Sequence, residues 1–400
     1  MDAVGIIAEY NPFHNGHMYH IHEVRKRVGA NVPIVCAMSG NWVQRGDAAI
    51  LPKWSRATLA LQSGADLVLE IPTPWAISSA ETFALGGVSV LEATGVTGML
   101  SFGSESAALP LLEQAALALD SPAFQEVLRL ELDQGLPFAT ARQRALEQLL
   151  GKHAALLKSP NDNLAVAYLR ALDHIRSSML PLPIRRHGAG HDSLSISQSG
   201  YASASYLRAR ILEGQWPQLS AYLTQDGLQM LQQQGPASLQ FCTRGVFAKL
   251  RSLSLQDWEA LPDSGEGLSN RLAEAARRAH SLEELYGFAK TKRYAHARIR
   301  RLVLWAFLGL TKKDLPSSLP YLRVLGLNPR GKMLLHKMKH AASIPILTKP
   351  AHWVKLDSIG QSLFRHEIRC TALYDLCREN FGEAAEGPDE LTQSPVILDL

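Results

Sequence analysis

Five short apolar runs occur in the first half of the chain, separated by stretches with helical spacing. Apolar runs of this length are typical of parallel strands that are buried on both faces. Strands that alternate with helices indicate crossover units and a parallel sheet. The pattern therefore predicts an α/β, Rossmann-like domain with a doubly wound sheet over residues 1–215. The predicted strands are Val4 to Ala8, Val32 to Met38, Ala65 to Ile71, Thr97 to Phe102 and Leu182 to His187.

Helical spacing continues between and after these runs. Residues 79–91 predict one helix, and residues 109–150 predict two or three. From about residue 215 leucines dominate and strand signals disappear, so residues 216–380 are predicted to form a mostly α-helical domain. The acidic residues 381–400 contain Gly and Pro and are predicted to be a disordered tail.

One string in the helical half imitates a P-loop. The stretch from Gly326 to Lys332 fits GxxxxGK, but Met333 stands where Ser or Thr must bind magnesium. The string also lies in a region without a predicted preceding strand. We therefore interpret it as a turn followed by the start of a basic helix.

Composition narrows the class of protein. A chain of 400 residues with 46% hydrophobic content is typical of two or three globular domains with full cores. The four cysteines form no CxxC pair and indicate no disulfide framework, so a cytoplasmic location is expected. The N-terminus lacks the basic region of a signal peptide, and no uncharged apolar run approaches the ~20 residues of a membrane span. No membrane association is expected.

The candidate chemistry follows the first predicted strand. Glu9 to Pro12 form a turn, and His14-Asn15-Gly16-His17 opens a helix with Asn15 as the expected N-cap. A helix N-terminus at the carboxyl end of a strand favours phosphate binding. His14 and His17 are three residues apart, so they share one helix face. Two imidazoles there can hold a triphosphate and stabilise charge that develops on it.

Two other interpretations of these histidines are weaker. They could be ordinary residues on a helix surface. They could also ligate a metal together with His20 and His22, but no Cys or carboxylate lies beside them at zinc-like spacing. Asn-Gly between two histidines also differs from HExxH, in which a glutamate supplies the base. No protein-bound metal is predicted.

Two further polar groups follow predicted strands. Arg45, Lys53 and Arg56 are expected to contact ATP or RNA as a cluster, with solvated surface charge as the alternative. Ser203 and Ser205 start a helix and can donate hydrogen bonds to phosphates. Arg208 can neutralise the same phosphates, and an ordinary capping box without a ligand is the alternative.

The helical half carries a basic stripe. No acidic residue occurs between Lys290 and Lys313, and Tyr294 and His296 are interleaved with the cations. Such a stripe is typical of proteins that bind a phosphate backbone, although a solvated helix face is the usual interpretation of a charge run. The candidate tRNA contacts are Lys290, Lys292, Arg293, Arg298, Arg300 and Arg301.

These motifs also carry a resemblance to a known family. His14-Asn15-Gly16-His17 resembles the HxGH signature of nucleotidylyltransferases, and Gly5 to His20 resembles the N-terminus of bacterial tRNA(Met) cytidine acetate ligases. Ser39 to Gly46 is similar to the SGNFVQRG string of that family, and Ser203 to Arg208 resembles a weakened ISSTxxR motif. Strings around Arg293 and in Tyr321 to Lys332 extend the likeness over essentially the whole chain.

The resemblance implies a reaction with two steps. ATP and acetate would form acetyl-adenylate and pyrophosphate, with Mg²⁺ bridging the phosphates and His14 and His17 as catalytic residues. The acetyl group would pass to the exocyclic amine of the wobble cytidine of elongator tRNA(Met), giving N4-acetylcytidine. No stable protein partner is predicted. The implied ATP contacts are Ile7, Ala8, Glu9, Tyr10, Asn11, Pro12, Phe13, His14, Asn15, Gly16, His17, Met18, Tyr19, His20, Gly103, Asn161 and Arg186.

Two of these assignments have a competing neighbour. The family pattern PNNILG is replaced here by PNDNLA from Pro160, which leaves Asn161 or Asn163 as the contact. Arg185 and Arg186 alternate faces on a strand, so only one should point towards the nucleotide.

Two functions of other classes stay open from the sequence. One is a nucleotidylyltransferase that couples a nucleotide to a phosphorylated small molecule, which would leave the basic helical half without a role. The other is a tRNA-binding protein with a degenerate nucleotide domain, which the intact His14, Gly16 and His17 disfavour.

Overall fold

A computed structural model of the chain describes residues 3–186, 201–382 and 389–399. The strands are β1 (Ala3–Ala8), β2 (Ile34–Ser39), β3 (Trp42–Val43), β4 (Asp47–Ala48), β5 (Leu67–Ile71), β6 (Thr97–Ser104), β7 (Leu180–Arg185), β8 (Leu322–Leu327), β9 (Ile346–Leu347) and β10 (Val396–Ile397). The α-helices are α1 (Asn15–Val28), α2 (Lys53–Gln62), α3 (Thr73–Ala76), α4 (Ala80–Glu92), α5 (Leu109–Asp120), α6 (Pro122–Asp133), α7 (Phe138–Leu150), α8 (Pro160–His174), α9 (Ala204–Leu212), α10 (Gln225–Gln234), α11 (Thr243–Arg251), α12 (Leu255–Glu259), α13 (Leu268–Arg278), α14 (Leu282–Ala289), α15 (His296–Leu308), α16 (Pro329–Ala341) and α17 (Ser358–Asp375). Short 3-10 helices span Gly151–Lys158, Trp216–Gln218, Lys312–Asp314 and Pro350–Lys355.

The predicted parallel sheet is confirmed. An eight-stranded sheet has the order β10-β8-β5-β2-β1-β6-β7, with β9 beside β8, and β1, β2, β5, β6 and β7 all pair in parallel. Ile6 pairs with Cys36 on one side and with Ser101 on the other. The chain runs outward from β1 to β5 and then returns to β6 on the opposite side of β1. This reversal opens a crevice at the carboxyl ends of β1 and β6, where open α/β sheets bind ligands.

The helices that flank this crevice pack closely against the sheet. β1, which is buried from Ala3 to Ile6, lies under α4, and a Cβ on Gly87 would be 2.8 Å from side-chain carbons of Ile7. The helix predicted for residues 79–91 and the helices predicted between residues 109 and 150 are therefore confirmed as α4 and as α5, α6 and α7. The fifth strand ends at Arg185, and His187 of the predicted run lies outside the described residues.

The prediction that strands end near residue 215 is wrong. β8 is buried throughout and pairs antiparallel with β5, which places part of the helical half in the sheet. Periodicity cannot distinguish a six-residue buried strand from a short buried helix, and the leucines of Leu322–Leu327 therefore gave no strand signal. The P-loop-like string thus does follow a buried strand, and α16 begins within it. Met333 is 63% exposed at the position of the missing hydroxyl.

The prediction of a disordered tail is wrong for residues 389–399. β10 pairs in parallel with Gly326 and Leu327 of β8. Glu390 is 1% exposed and accepts a hydrogen bond of 2.5 Å from Lys53 Nζ, which also bonds Glu70 Oε1 at 2.6 Å. Residues 389–399 are therefore part of the fold, since they supply the edge strand of the sheet and a buried carboxylate.

The same contacts correct the role expected for two cations of the predicted ligand-binding cluster. Lys53 is fully buried in the ion pairs just described. Arg56 is also fully buried, and its guanidinium donates to the backbone carbonyls of Leu51, Glu9, Ser39 and Gly40. Both side chains stabilise the fold instead of facing a ligand.

The helical part packs on the β3–β4 hairpin. A Cβ on Gly46, whose φ is +74°, would lie 2.5 Å from the backbone carbon of Arg300 in α15. The indole of Trp42 donates a hydrogen bond of 3.0 Å to the carbonyl of Cys370 in α17. These contacts bring the basic residues at the start of α15 close to the crevice.

Candidate nucleotide-binding site

A cavity of about 180 Å³ lies at the carboxyl ends of β1 and β6. It contains most of the residues that the sequence predicts as ATP contacts, together with the predicted phosphate-binding residues. Its walls come from β1, α1, the β3–β4 hairpin, α4, β6, α8, β7 and α9. The lining residues are Ile6, Ile7, Ala8, Glu9, Tyr10, Asn11, His14, His17, His20, Gln44, Arg45, Phe83, Phe102, Gly103, Asn161, Leu164, Tyr168, Arg186, Ser203, Ala204, Ser205 and Arg208.

The two signature histidines form the cap of α1. His14, and not the expected Asn15, is the N-cap residue, and its Nδ1 accepts a hydrogen bond of 3.0 Å from the amide of Gly16. His17 Nδ1 accepts from the amide of His14 at 3.2 Å, which completes a capping box. The two rings stack with centroids 3.8 Å apart. Because each Nδ1 is an acceptor, each neutral ring carries its proton on Nε2 and can donate from there.

These histidines are neutral at physiological pH. Burial lowers the pKa of His14 to about 3, and the charges of Arg186 and Arg208 act in the same direction. Burial and Arg186 also lower the pKa of His20 to about 3, and its Nε2 lies 2.8 Å from Ser101 Oγ. Burial and the neighbouring His14 lower the pKa of His17 well below its ordinary value. The imidazoles therefore offer hydrogen bonds, while positive charge has to come from elsewhere.

The cavity receives that charge from three arginines on different segments, Arg45, Arg186 and Arg208, and two of them share a partner. Arg45 Nη1 and Arg208 Nη2 each donate a 3.1 Å hydrogen bond to Ser205 Oγ. Arg208 Nη1 also bonds the carbonyl of Asn11 at 2.7 Å. Ser203 caps α9 through the amide of Tyr206, so the capping function expected as an alternative is present beside the cavity. The start of α9 and the two guanidinium groups converge on the same wall as His14.

The later predicted contacts lie on β6, on α8 and directly after β7. Gly103 leaves room for Arg186, because a Cβ there would lie 3.2 Å from Arg186 Cγ. Asn161 lines the cavity, and its Nδ2 donates to Glu105 Oε1 at 2.6 Å. Asn163 instead accepts a hydrogen bond of 3.1 Å from Arg142. Arg186 lines the main cavity, whereas Arg185 lines a small adjoining depression.

Six predicted ATP contacts are not among the residues that line the main cavity. Phe13 is 1% exposed and packs edge-on against Tyr10, and Pro12 precedes it in the turn. Asn15 Nδ2 bonds the carbonyl of Ala221 at 2.9 Å, and Met18 is 40% exposed. Gly16 and Tyr19 line the adjoining depression with His17 and His20.

The sequence did not single out the apolar wall. Phe83, Phe102, Leu164 and Tyr168 face the cavity, and the rings of Phe102 and Tyr168 lie 5.9 Å apart. One signal was available in the sequence. Asn161, Leu164 and Tyr168 are spaced to share one face of α8, so a predicted contact at Asn161 also points to the other two.

Glu9 is the carboxylate of this cavity. Its Oε1 accepts a hydrogen bond of 2.7 Å from the amide of Gln44. Burial raises the pKa of Glu9, while the Gln44 amide and the charges of Arg208 and Arg45 oppose that rise. A raised pKa brings a carboxylate closer to the range in which it exchanges protons at neutral pH.

The basic stripe divides into residues with and without local partners. Lys290 Nζ bonds the carbonyls of Thr291 at 2.8 Å and Tyr294 at 2.6 Å. Lys292 and Arg293 are exposed. Arg298 lies near Glu266 at 3.3 Å. The guanidinium of Arg300 lies over the ring of Tyr286, 5.0 Å from its centroid, and contact of this stripe with RNA stays a prediction.

Neither a cluster of metal ligands nor a membrane-spanning helix is found within residues 3–186, 201–382 and 389–399. Within them, no group of three or more His, Cys, Asp or Glu side chains is arranged to hold a metal ion. In the same part of the chain, no helix has the length and apolarity needed to cross a membrane.

Comparison with known proteins agrees with this geometry. The sequence model of the HIGH nucleotidyl transferase family matches residues 1–388. A tRNA(Met) cytidine acetate ligase of Caldanaerobacter subterraneus is 37% identical over 395 residues, covering 95% of this chain and 96% of the relative. That of Acetivibrio thermocellus is 35% identical over the full length of both chains. Crystal structures of Thermotoga maritima TmcAL superpose over all of both chains, with a TM-score of 0.94 at 30% identity for the apo form and 0.93 at 29% for the form bound to alpha-thio ATP. The chain belongs to the tRNA(Met) cytidine acetate ligase family of HIGH nucleotidyl transferases.

Proposed function

We propose that this protein is an ATP-dependent ligase that activates acetate as acetyl-adenylate and acetylates N4 of the wobble cytidine of elongator tRNA(Met). The observation that supports it best is one cavity that joins the His14–His17 cap, three arginines and the carboxylate of Glu9. The full-length relatives that carry the name tRNA(Met) cytidine acetate ligase support the choice of substrates. The expected compartment is the cytoplasm, because tRNA is found there.

The first step forms the mixed anhydride. A carboxylate oxygen of acetate attacks the α-phosphorus of ATP, and the bond from that phosphorus to pyrophosphate breaks. Acetate alone is a poor acyl donor because it would have to expel oxide, and adenylation makes AMP the leaving group. The step depends on in-line positioning and on charge stabilisation more than on covalent help from the protein.

Each group of the cavity has a role in that step. The Nε2–H groups of His14 and His17 donate to the phosphate oxygens, where charge develops. Arg45 and Arg208 neutralise the departing pyrophosphate, since both guanidinium groups converge on Ser205. The apolar wall around Phe102 and Tyr168 excludes water, which would hydrolyse the adenylate.

Magnesium belongs to the substrate in this proposal. Mg²⁺ is usually held by one or two carboxylates and by the phosphates themselves, where it neutralises charge. Glu9 is the carboxylate in the cavity lining, and the described residues hold no larger cluster of metal ligands. The donor set therefore fits MgATP better than a resident metal.

The second step transfers the acetyl group. The exocyclic amine of cytidine attacks the carbonyl carbon of acetyl-adenylate, AMP leaves, and the amine releases one proton. Glu9 would accept that proton, since its raised pKa suits a general base. The basic stripe from Lys290 to Arg301 would hold the anticodon stem-loop and present the unstacked base.

One assay tests the whole proposal. The protein is incubated with ATP, Mg²⁺, radiolabelled acetate and bulk bacterial tRNA, and RNA-bound label is digested to nucleosides. We expect label in acetylcytidine, and acetate-dependent exchange of pyrophosphate into ATP without tRNA. Pyrophosphate release that needs a phosphorylated small molecule and ignores acetate would instead support the small-molecule nucleotidylyltransferase.

A further inference from the structure

A second cavity of about 230 Å³ lies between the start of α4 and α15. Ser79 and Thr82 of the first turn of α4 form one side, and Arg298, Arg301 and Trp305 of α15 form the other. The indole of Trp305 donates a hydrogen bond of 3.1 Å to the carbonyl of Ile77, which fixes α15 against this segment. We refer to it as the α4–α15 cavity.

The two arginines of this cavity differ in their partners. Arg298 Nε donates to the carbonyl of Asp263 at 3.0 Å, and its Nη1 lies 3.3 Å from Glu266. The side chain of Arg301 makes no hydrogen bond or ion pair with any residue in the described part of the chain, although burial lowers its pKa. The carboxylates of Asp263 and Glu81 act on this guanidinium electrostatically and oppose the effect of burial on its pKa. Its five donors are therefore held beside acidic groups and are available to a ligand.

The α4–α15 cavity is a close neighbour of the nucleotide cavity. Thr82 lines the former, and the next residue, Phe83, lines the latter. Successive residues of an α-helix lie about 1.5 Å apart along its axis, so the start of α4 is a wall shared by the two cavities. A nucleotide adjacent to a reacting nucleotide can reach across such a shared wall.

The lining favours a nucleobase over a simple anion. It offers two planar guanidinium groups, the hydroxyls of Ser79 and Thr82, and the carboxylate of Asp263 as an acceptor. An acidic group disfavours a free phosphate, whereas a base presents both donors and acceptors. Unstacked bases of single-stranded RNA are typically bound by stacking on arginine and by hydrogen bonds at their edges.

We infer that the α4–α15 cavity binds the base of an unpaired nucleotide that flanks the reacting cytidine in the anticodon loop. This inference rests on the proposed function. Arg301 would stack on or bond to that base, and Arg298 would support it. Arg300 does not line this cavity. Its guanidinium lies over the ring of Tyr286 and interacts electrostatically with Asp47 and Arg208.

The test compares variants on intact and altered RNA. Arg301→Met keeps most of the side-chain volume and removes the donors, and Arg277→Met is the matched control on an exposed arginine of α13. Loss of a base contact of this kind raises the KM for an anticodon stem-loop about 5- to 150-fold. We expect that rise in Arg301→Met and less than a twofold change in Arg277→Met. Acetate-dependent ATP–pyrophosphate exchange should stay unchanged in both, which also verifies that they fold.

A second arm changes the RNA instead of the protein. The unaltered protein is assayed for acetylation of stem-loops that carry an abasic nucleotide on the 5′ or the 3′ side of the cytidine. One of them should show the same rise in KM, and Arg301→Met should add little to it. Equal KM values for intact and abasic RNA, or a KM for Arg301→Met within twofold of the unaltered protein, would overturn the inference. Failure of the proposed function is distinct, because intact RNA would then receive no label at all.

Discussion

The tail of the chain offers the sharpest test of the fold. Glu390 is buried among cations: its Oε2 accepts from Lys53 Nζ at 2.5 Å and from Thr371 Oγ1 at 3.0 Å, and its Oε1 lies 3.4 Å from Arg323 Nε. Burial alone would raise the pKa of this carboxyl group, but Lys53 and Arg323 overcome that effect and hold the pKa below its usual value. The group is therefore ionised at neutral pH. Glu390→Ala removes it and leaves both cations buried.

The expected loss of stability follows from what remains. Breaking a buried ion pair by removing one partner costs about 3–5 kcal/mol, because the other charge stays uncompensated. Lys53 keeps Glu70 at 2.6 Å, which moves the cost towards the lower end. Arg323 is 2% exposed and its remaining bond goes to the carbonyl of Gln393 in the same tail, which moves the cost upward. We expect the free energy of unfolding to fall by about 4 kcal/mol, the middle of that range.

Urea unfolding followed by tryptophan fluorescence measures this change. The matched control is Glu379→Ala, which removes an exposed acid near the same end of the chain and should alter the unfolding free energy by less than about 0.5 kcal/mol. The slope against denaturant should be unchanged in both variants, since the surface exposed on unfolding is the same. A Glu390→Ala protein as stable as the control would show that the tail does not neutralise Lys53 as the structure describes.

Three further predictions concern the nucleotide cavity. His14→Ala and His17→Ala should each lower acetate-dependent ATP–pyrophosphate exchange on the order of 100- to 1000-fold while tRNA binding stays within about twofold, and full exchange in both would refute their role. Glu9→Gln should slow transfer from preformed acetyl-adenylate about 100-fold. Because the pKa of Glu9 is raised, the unaltered protein should lose transfer rate as pH falls through that pKa, and the Gln variant should lose this dependence; an identical decline in both would exclude Glu9 as the base. His14 has a folded pKa of about 3 against an ordinary value of 6.5, so the unfolded chain binds the extra proton and stability falls below pH 6.5. Between pH 6.5 and pH 5 this lowers the free energy of unfolding by about 2 kcal/mol. In urea unfolding, His14→Asn, which keeps an N-cap, should lose less stability over that interval. Equal losses in the two proteins would contradict the lowered pKa of His14.

Local sequence patterns were sufficient where the structure depends on neighbours along the chain. The apolar run of β1, the turn at Asn11 and the helix capped by His14 are contiguous, so their order alone predicted the strand–turn–helix corner beside the cavity. The parallel strands that follow could be predicted for the same reason. The N-cap was assigned to Asn15 because capping statistics favour asparagine, whereas the ring nitrogen of His14 fills that role here.

Contacts between distant segments were beyond those patterns. Lys53 and Glu390 are separated by 337 positions, and nothing near Lys53 in the sequence indicates that its charge is neutralised inside the protein. The sequence therefore predicts that a lysine beside a candidate ligand site faces the ligand. β8 was missed for a related reason, since only its pairing with β5 distinguishes its leucines from those of the surrounding helices.

The nucleotide cavity also depends on contacts between distant segments, because its hydrogen-bond donors and its positive charges come from different parts of the chain. The signature motif supplies neutral hydrogen-bond donors, because burial and nearby guanidinium groups keep His14 and His17 uncharged. In the proposed function, the charge that a triphosphate requires would come largely from Arg45 and Arg208, which reach the cavity from the β3–β4 hairpin and from α9. The HxGH pattern alone therefore cannot assemble a working site. The later segments decide whether a chain with this motif can stabilise a departing pyrophosphate, so replacing Arg208 should impair adenylation even with both histidines intact.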